Sequence, residues 1–258
     1  MVHLHLYLIP YLTPYTLHPT PYTLHLTPYT FHLSPFTFHP TPYTLPLIPH
    51  YKLTLHQFFD ELIMDRLLKR IQRCEICKDH LPLGPRPVVQ LSSQSRIIII
   101  GQAPGKRVHE TGIPWNDASG RKLREWMNVD EAAFYDPEAF CIMPMGFCYP
   151  GKAASGDLPP RPECAPLWHP RILKSIKGSP LILLIGQYAQ RYYLKKAAKI
   201  NLTETVKRYK EYLPRYFPLP HPSPRNQNWI TINPWFMEET IPELRNKIQL
   251  VLHKTKPG

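Results

Sequence analysis

The sequence predicts an α/β fold: a three-layer α/β/α arrangement in which a mostly parallel sheet is covered by helices on both faces. Three observations carry this. Ile97-Ile98-Ile99-Ile100 is an unbroken run of β-branched residues, the pattern of a strand buried on both sides. Two further apolar runs, Ala139 to Met145 and Pro180 to Gly186, have the same character. Segments of helical periodicity lie between and after these runs, and strands that alternate with helices form parallel sheets.

Taken in order, the chain begins with a segment unlike the rest. Residues 13 to 47 repeat with a period of seven, as in TPYTLHP and TPYTLHL, and the first 51 residues contain no Asp, Glu, Lys or Arg. A proline in each repeat forbids a continuous helix, so the heptad is not a coiled coil. The composition suits extended or disordered chain without a core. Its seven histidines up to His50 could collect metal adventitiously. A near-perfect repeat of this kind also resembles a translated DNA repeat, with Met64 as an internal start. Residues 52 to 63 read as a linker and helix start, and residues 64 to 254 as the folded domain.

Helical spacing of Phe58, Leu62, Leu67, Leu68 and Ile71 predicts a helix from Gln57 to Arg73. Cys74 and Cys77 follow it as C-x2-C. The strand Arg96 to Ile100 ends in Gly101-Gln102-Ala103-Pro104-Gly105. A turn-rich segment, Gly112 to Gly120, leads to a helix from Arg121 to Met127. The second strand ends in Gly146-Phe147-Cys148-Tyr149-Pro150-Gly151, and residues 151 to 164 read as a polar loop. A helix from Pro166 to Ile176, the third strand, and a helix from Gln187 to Lys196 come next. Prolines exclude regular structure from Leu219 to Asn226. An amphipathic helix from Met237 to Leu252 closes the chain. In open parallel sheets ligands sit at the carboxyl ends of the strands, so the loops after the strands, joined by the histidine loop, define the expected site.

The formal net charge is +12 over 258 residues, all of it after residue 51. Such an excess favours a polyanionic partner such as nucleic acid or an anionic membrane; the alternative is a basic surface with no dedicated ligand. No apolar run approaches the roughly 18 residues that span a bilayer. The five cysteines are an odd number in a chain of low cysteine density, which argues against a disulfide framework. A soluble, cytoplasmic protein is expected.

Several residues carry potential chemistry. His221 sits between prolines in a preset loop, either facing a ligand or on plain surface. Ser223 offers a hydroxyl to a phosphate oxygen, and Gln102 offers both a donor and an acceptor. Trp115 is a stacking surface or a core residue. Asp117 is the carboxylate of this loop set, or simply the cap of the helix that follows. Cys74 and Cys77, with Cys148 and Cys164 sixteen positions apart, form two pairs that suit zinc or an iron–sulfur cluster. Cys141, inside a strand, reads as core.

GQAPG after an apolar strand, G-I-P-W-N-D-A-S-G, LLIG before a helix and HPSPRN near the end together resemble the uracil-DNA glycosylase superfamily, over about residues 64 to 252. The resemblance implies a central four-stranded sheet and a DNA partner, and the protein is expected to act as a monomer. It implies a base flipped from the duplex into a pocket. Trp115 stands where the family places a stacking Phe, with Gly101, Ala103 and Pro104 beside it in the first loop. His221 corresponds to the histidine that hydrogen-bonds the departing uracil anion at O2. Ser223 would grip phosphate, and Arg225 falls where many relatives place the Leu that fills the gap left by the base. The cysteines are similar to the iron–sulfur branches, families four and five, so Cys74, Cys77, Cys148 and Cys164 are the implied ligands of a 4Fe–4S cluster.

The sequence also departs from the family. Ala103 replaces the Asp of GQDPY, Gln102 replaces the Glu of GEAPG, and Pro144 replaces the Asn that reads the uracil edge. Family five carries an Asp in T-G-D-x-S-G, and Asn116-Asp117-Ala118-Ser119-Gly120 is the local match. Asp117 is therefore the implied water-activating or cation-stabilising carboxylate. Three readings result: a DNA glycosylase for uracil or another deaminated base, an iron–sulfur DNA- or nucleotide-binding module of the same fold without catalysis, and an unrelated small-molecule α/β enzyme.

Overall fold

A computed structural model describes residues 55–253; the heptapeptide repeat and its histidines lie outside the described residues. The chain runs through α1 (Leu55–Gln72), β1 (Ile97–Ile100), α2 (Lys106–Thr111), α3 (Ala118–Met127), α4 (Glu131–Phe134) and β2 (Phe140–Ile142). It continues through α5 (Cys164–Ser175), β3 (Leu181–Ile185), α6 (Gln187–Leu194), α7 (Leu202–Lys207), β4 (Tyr216–Leu219), α8 (Gln227–Ile232) and α9 (Ile241–His253).

The strands form one four-stranded sheet in the order β2-β1-β3-β4, every pair parallel. The isoleucine run is the reason β1 is central. All four side chains are buried, each contributing roughly 1.5–3 kcal/mol by leaving water. Alternate residues serve opposite layers, as the strand period of two requires. Ile97 and Ile99 pack with Leu123 and Trp126 of α3 and with Leu244 and Ile248 of α9. Ile98 and Ile100 pack with Met64, Leu67 and Ile71 of α1 and with Trp168 and Ile172 of α5. Helices on both faces of a parallel sheet make the three layers, as expected. Cys141 is fully buried in β2, in the core role assigned to it.

Five elements were not legible in the sequence: β4 and the short helices α2, α4, α7 and α8. β4 contains Pro218, paired with Leu184 of β3. A proline cannot complete a ladder on both sides and is tolerated because β4 is an edge strand. α2 is a single short stretch, KRVHET, without an apolar stripe, closed by Gly112 at φ +72° in the left-handed cap position. The Leu219–Asn226 loop also holds one 3₁₀ turn, Pro224–Asn226, where no regular structure was expected. No helix among the described residues is long and apolar enough to cross a membrane.

Candidate active site

The carboxyl end of β1 opens into a pocket with about 410 Å³ of empty space continuous with solvent. Gly101, Gln102, Ala103 and Pro104 form one wall. Trp115, Asp117 and His221 form the others, with Pro144 from the end of β2. Residues separated by more than a hundred positions thus meet at one sheet edge. The end of β3 supports the same place: a Cβ on Gly186 would lie 3.8 Å from the Cβ of His221.

Two glycines make room for Trp115. A Cβ on Gly101 would lie 2.8 Å from Cζ2 of the indole, and one on Gly120 would lie 1.8 Å from the Trp115 carbonyl oxygen. Trp115 itself has φ +55°, a left-handed backbone that a bulky residue rarely adopts. Strain of this kind turns the indole over the first loop, where it faces His221 with ring centroids 5.6 Å apart and planes inclined by 31°. Trp115 is therefore a half-buried pocket wall that also packs against the core.

The His221 loop is locked by its backbone. Asn226 donates from Nδ2 to the His221 carbonyl at 2.7 Å, and Ser223 Oγ accepts from the Arg225 amide at 3.3 Å. Neither ring nitrogen of His221 has a hydrogen-bond partner among the described residues, so an imidazole N–H remains available to a ligand. Burial lowers the pKa of the ring below its ordinary value, and the Asp117 carboxylate pulls in the other direction. At neutral pH the ring is an uncharged donor. Asp117 has two engagements: Oδ1 accepts from the Gly120 amide at 2.8 Å as the cap of α3, and Oδ2 faces Gly105 at the pocket rim. The capping role and the proximity to His221 coexist.

A hairpin crosses the mouth of the pocket. Residues 151 to 158, expected only as polar loop, turn back with a bridge between Lys152 and Asp157. Gln102 donates from Nε2 to the Leu158 carbonyl at 3.3 Å, so its amide nitrogen secures the hairpin and its carbonyl oxygen is left for the pocket. The hairpin brings in Asp157, which sequence reasoning did not single out. A Cβ on Gly105 would lie 3.5 Å from Asp157 Oδ2 and 4.0 Å from Asp117 Oδ2, so two carboxylates converge on one point. Burial raises the pKa of Asp157, and Asp117 raises it further, while Arg225 and Lys152 act against them. Arg225 is exposed and lies against the hairpin tip: a Cβ on Gly156 would meet its Nη1 at 2.8 Å. Ser223 and Arg225 stand at the rim and do not line the pocket.

The Gly146–Gly151 loop goes elsewhere. Instead of joining the ligand pocket, its first residues, with Cys148, line a second cavity that also takes in Cys74, Cys77 and Cys164. Leu81, Phe147 and Trp168 make its walls apolar. The Phe147 amide donates to Cys164 Sγ at 3.3 Å, and Cys77 Sγ donates to Glu163 Oε2 at 3.7 Å. Burial pushes the thiol of Cys148 up to about 11 and that of Cys164 up to about 12, so bound metal must displace their protons. Among the described residues no three His, Cys, Asp or Glu side chains are gathered closely enough to hold a single metal ion. Four sulfurs around one apolar cavity, with a backbone N–H directed at one of them, fit the ligation of a multi-iron cluster, in which such hydrogen bonds tune the sulfurs.

A parallel three-layer sheet with a pocket at its carboxyl edge, bordered by a histidine loop, places the chain among open α/β proteins whose ligand sites lie at the strand ends. The model of the uracil DNA glycosylase superfamily matches residues 88–245, and the chain belongs to that superfamily. The match takes in the whole pocket together with Cys148 and Cys164. α1, Cys74 and Cys77 precede it.

Proposed function

We propose that this chain is a DNA glycosylase that hydrolyses the N-glycosidic bond of uracil, or of another deaminated base, after flipping it into the pocket. The observation that carries the reading is the meeting of His221, Trp115 and the 101–105 loop in one cavity, in a chain of a superfamily whose members act on DNA as glycosylases. The flipped base stacks on the indole of Trp115, as aromatic platforms hold bases generally. As the glycosidic bond breaks, its electron pair passes to the base. The neutral His221 ring donates a hydrogen bond to the oxygen on which that charge develops, and a donor of this kind is worth about 2.7–4 kcal/mol. The sugar acquires oxocarbenium character. The Asp117 carboxylate, at the rim beside Gly105, stabilises that cation and orients the water that adds to it. The proton the water loses passes to the carboxylate, and the net reaction returns one proton to the departed base anion. Ser223 and Arg225 hold the phosphates and the vacated stack.

The four cysteines would hold a 4Fe–4S cluster in this reading. Bound there, the cluster supplies a structural cross-link rather than a reaction step. Cys74 and Cys77 fasten the end of α1 to the Cys148 loop and to the start of α5 at Cys164. A reducing, cytoplasmic location accords with thiols kept for that purpose.

One observation favours a second reading. Ala103 and Pro144 occupy the pocket positions at which relatives carry an acid and a base-reading Asn, so a binding module that recognises DNA without cutting it is the competing account. Incubation of the protein with oligonucleotides that contain uracil, hypoxanthine or xanthine, followed by alkali, separates the two. Strand scission at the deaminated base is expected. Tight, salt-sensitive binding with no scission on any of them would select the binding module.

A further inference from the structure

We infer that the protein holds a second stretch of nucleic-acid backbone in a basic groove between α1 and α5, which shares no residue with the His221 pocket. The groove offers about 1100 Å³ of open space. Its cations are Arg66, Arg70, Arg171, Lys174 and Lys177, against one carboxylate, Asp60. Asp60 is bonded to Lys177 at 3.0 Å.

The groove follows from helical spacing. Arg66 and Arg70 are four positions apart on α1, and Arg171 and Lys174 three apart on α5, so each pair shares a face. The two helices pack side by side through Leu67 and Ile172. Arg66, Arg70 and Lys174 are exposed and have no ion-pair partner among the described residues. Arg171 lies with its guanidinium carbon 5.5 Å from the Trp168 ring centre, which holds it in place.

Position separates this groove from the base pocket. The Lys177 amide donates to the Ser93 carbonyl, just before β1, so this end of α5 lies at the amino ends of the strands. His221 lies at their carboxyl ends. α1, which supplies half the groove, precedes the residues that match the superfamily model.

Charge selects the occupant. The first 51 residues of the chain have no acidic side chain and cannot neutralise the groove. A second copy, at net +12, would be repelled. A phosphodiester backbone supplies regularly spaced anions for guanidinium groups. The inference goes beyond the proposed base excision and does not need it.

The test uses the whole protein and an undamaged fluorescent duplex, with affinity measured by anisotropy from about 50 to 200 mM salt. Arg66→Gln, Arg70→Gln and Lys174→Gln are combined; Gln is a good helix former, so folding is retained. Three lost phosphate contacts should flatten the plot of log K against log salt by about 2.7. Base release at saturating uracil substrate should be unchanged. A control with Lys196→Gln, Lys207→Gln and Lys210→Gln should flatten it less. An unchanged slope in the groove variant, an equal fall in the control, or displacement of the duplex by polyglutamate as readily as by unlabelled DNA would each overturn the inference. Absence of base release with the groove result intact would count against the proposed function alone.

Discussion

The indole of Trp115 and the imidazole of His221 face each other across the pocket with centroids 5.6 Å apart. The indole keeps that place because Gly101 presents no side chain beneath it. Gly101→Ala puts a methyl group 2.8 Å from the ring, so the ring must tilt. Loss of base release by tenfold or more, with the melting temperature nearly unchanged, is expected. Trp115→Phe should retain more activity than Trp115→Ala, because a smaller ring still stacks. Equal activity in all three variants would remove the indole from the site.

Asp117 allows two roles to be separated. Asn caps helices as well as Asp does, so Asp117→Asn should leave stability within about 0.5 kcal/mol, whereas Asp117→Ala should lose about 1 kcal/mol. Both lack the carboxylate and should lose base release to a similar extent. Denaturant unfolding paired with single-turnover kinetics reads both effects. Full activity in Asp117→Asn would reduce Asp117 to a cap.

His169 sets an acid limit to stability. It is fully buried, with Nε2 3.0 Å from the Pro144 carbonyl and Nδ1 2.7 Å from the Tyr193 hydroxyl. A carbonyl can only accept, so Nε2 carries the proton and Nδ1 accepts from Tyr193. Burial lowers the His169 pKa from 6.5 to about 4, against the hydrogen bond to Pro144. The unfolded chain therefore binds a proton first as pH falls. Its contribution is complete above about pH 6.5 and is lost toward pH 4, a change of about 3 kcal/mol. Unfolding measured across that window should show the fall, and His169→Gln should flatten it. An equally steep fall in the variant would exclude His169 as the cause.

The cysteine cavity makes a spectroscopic prediction. Protein purified without oxygen should be brown, with about four irons and four sulfides per chain, as the proposed 4Fe–4S ligand set requires. Cys148→Ser should bleach it and lower the melting temperature, since the tie between α1 and α5 is cut. Colourless protein with zinc or with no metal would end the cluster proposal and leave the His221 pocket untouched.

Much of this was legible in the sequence for local reasons. Four isoleucines in succession have one comfortable environment, the centre of a parallel sheet, and the glycine-rich loop after them had to lie at its carboxyl edge. His221, Trp115, Asp117 and the first loop were found because each sits in a short segment of unusual composition. Asp157 was missed because nothing within SGDLPP indicates that the hairpin folds back over the pocket; only the long-range tie from Gln102 to Leu158 does so. The Gly146–Gly151 loop was assigned to the wrong cavity for the same reason. A strand end shows where a loop leaves the sheet, and packing decides which way it turns. β4 stayed hidden because Pro218 interrupts its pattern, and its place at the edge cannot be read from the run itself.

The most direct test is single-turnover release of uracil from a DNA oligonucleotide by the wild-type protein and by His221→Ala. The account predicts measurable release by the wild type and a fall of about 10²–10³ in the variant, the effect of removing one preorganised donor. Equal rates in the two proteins would contradict it.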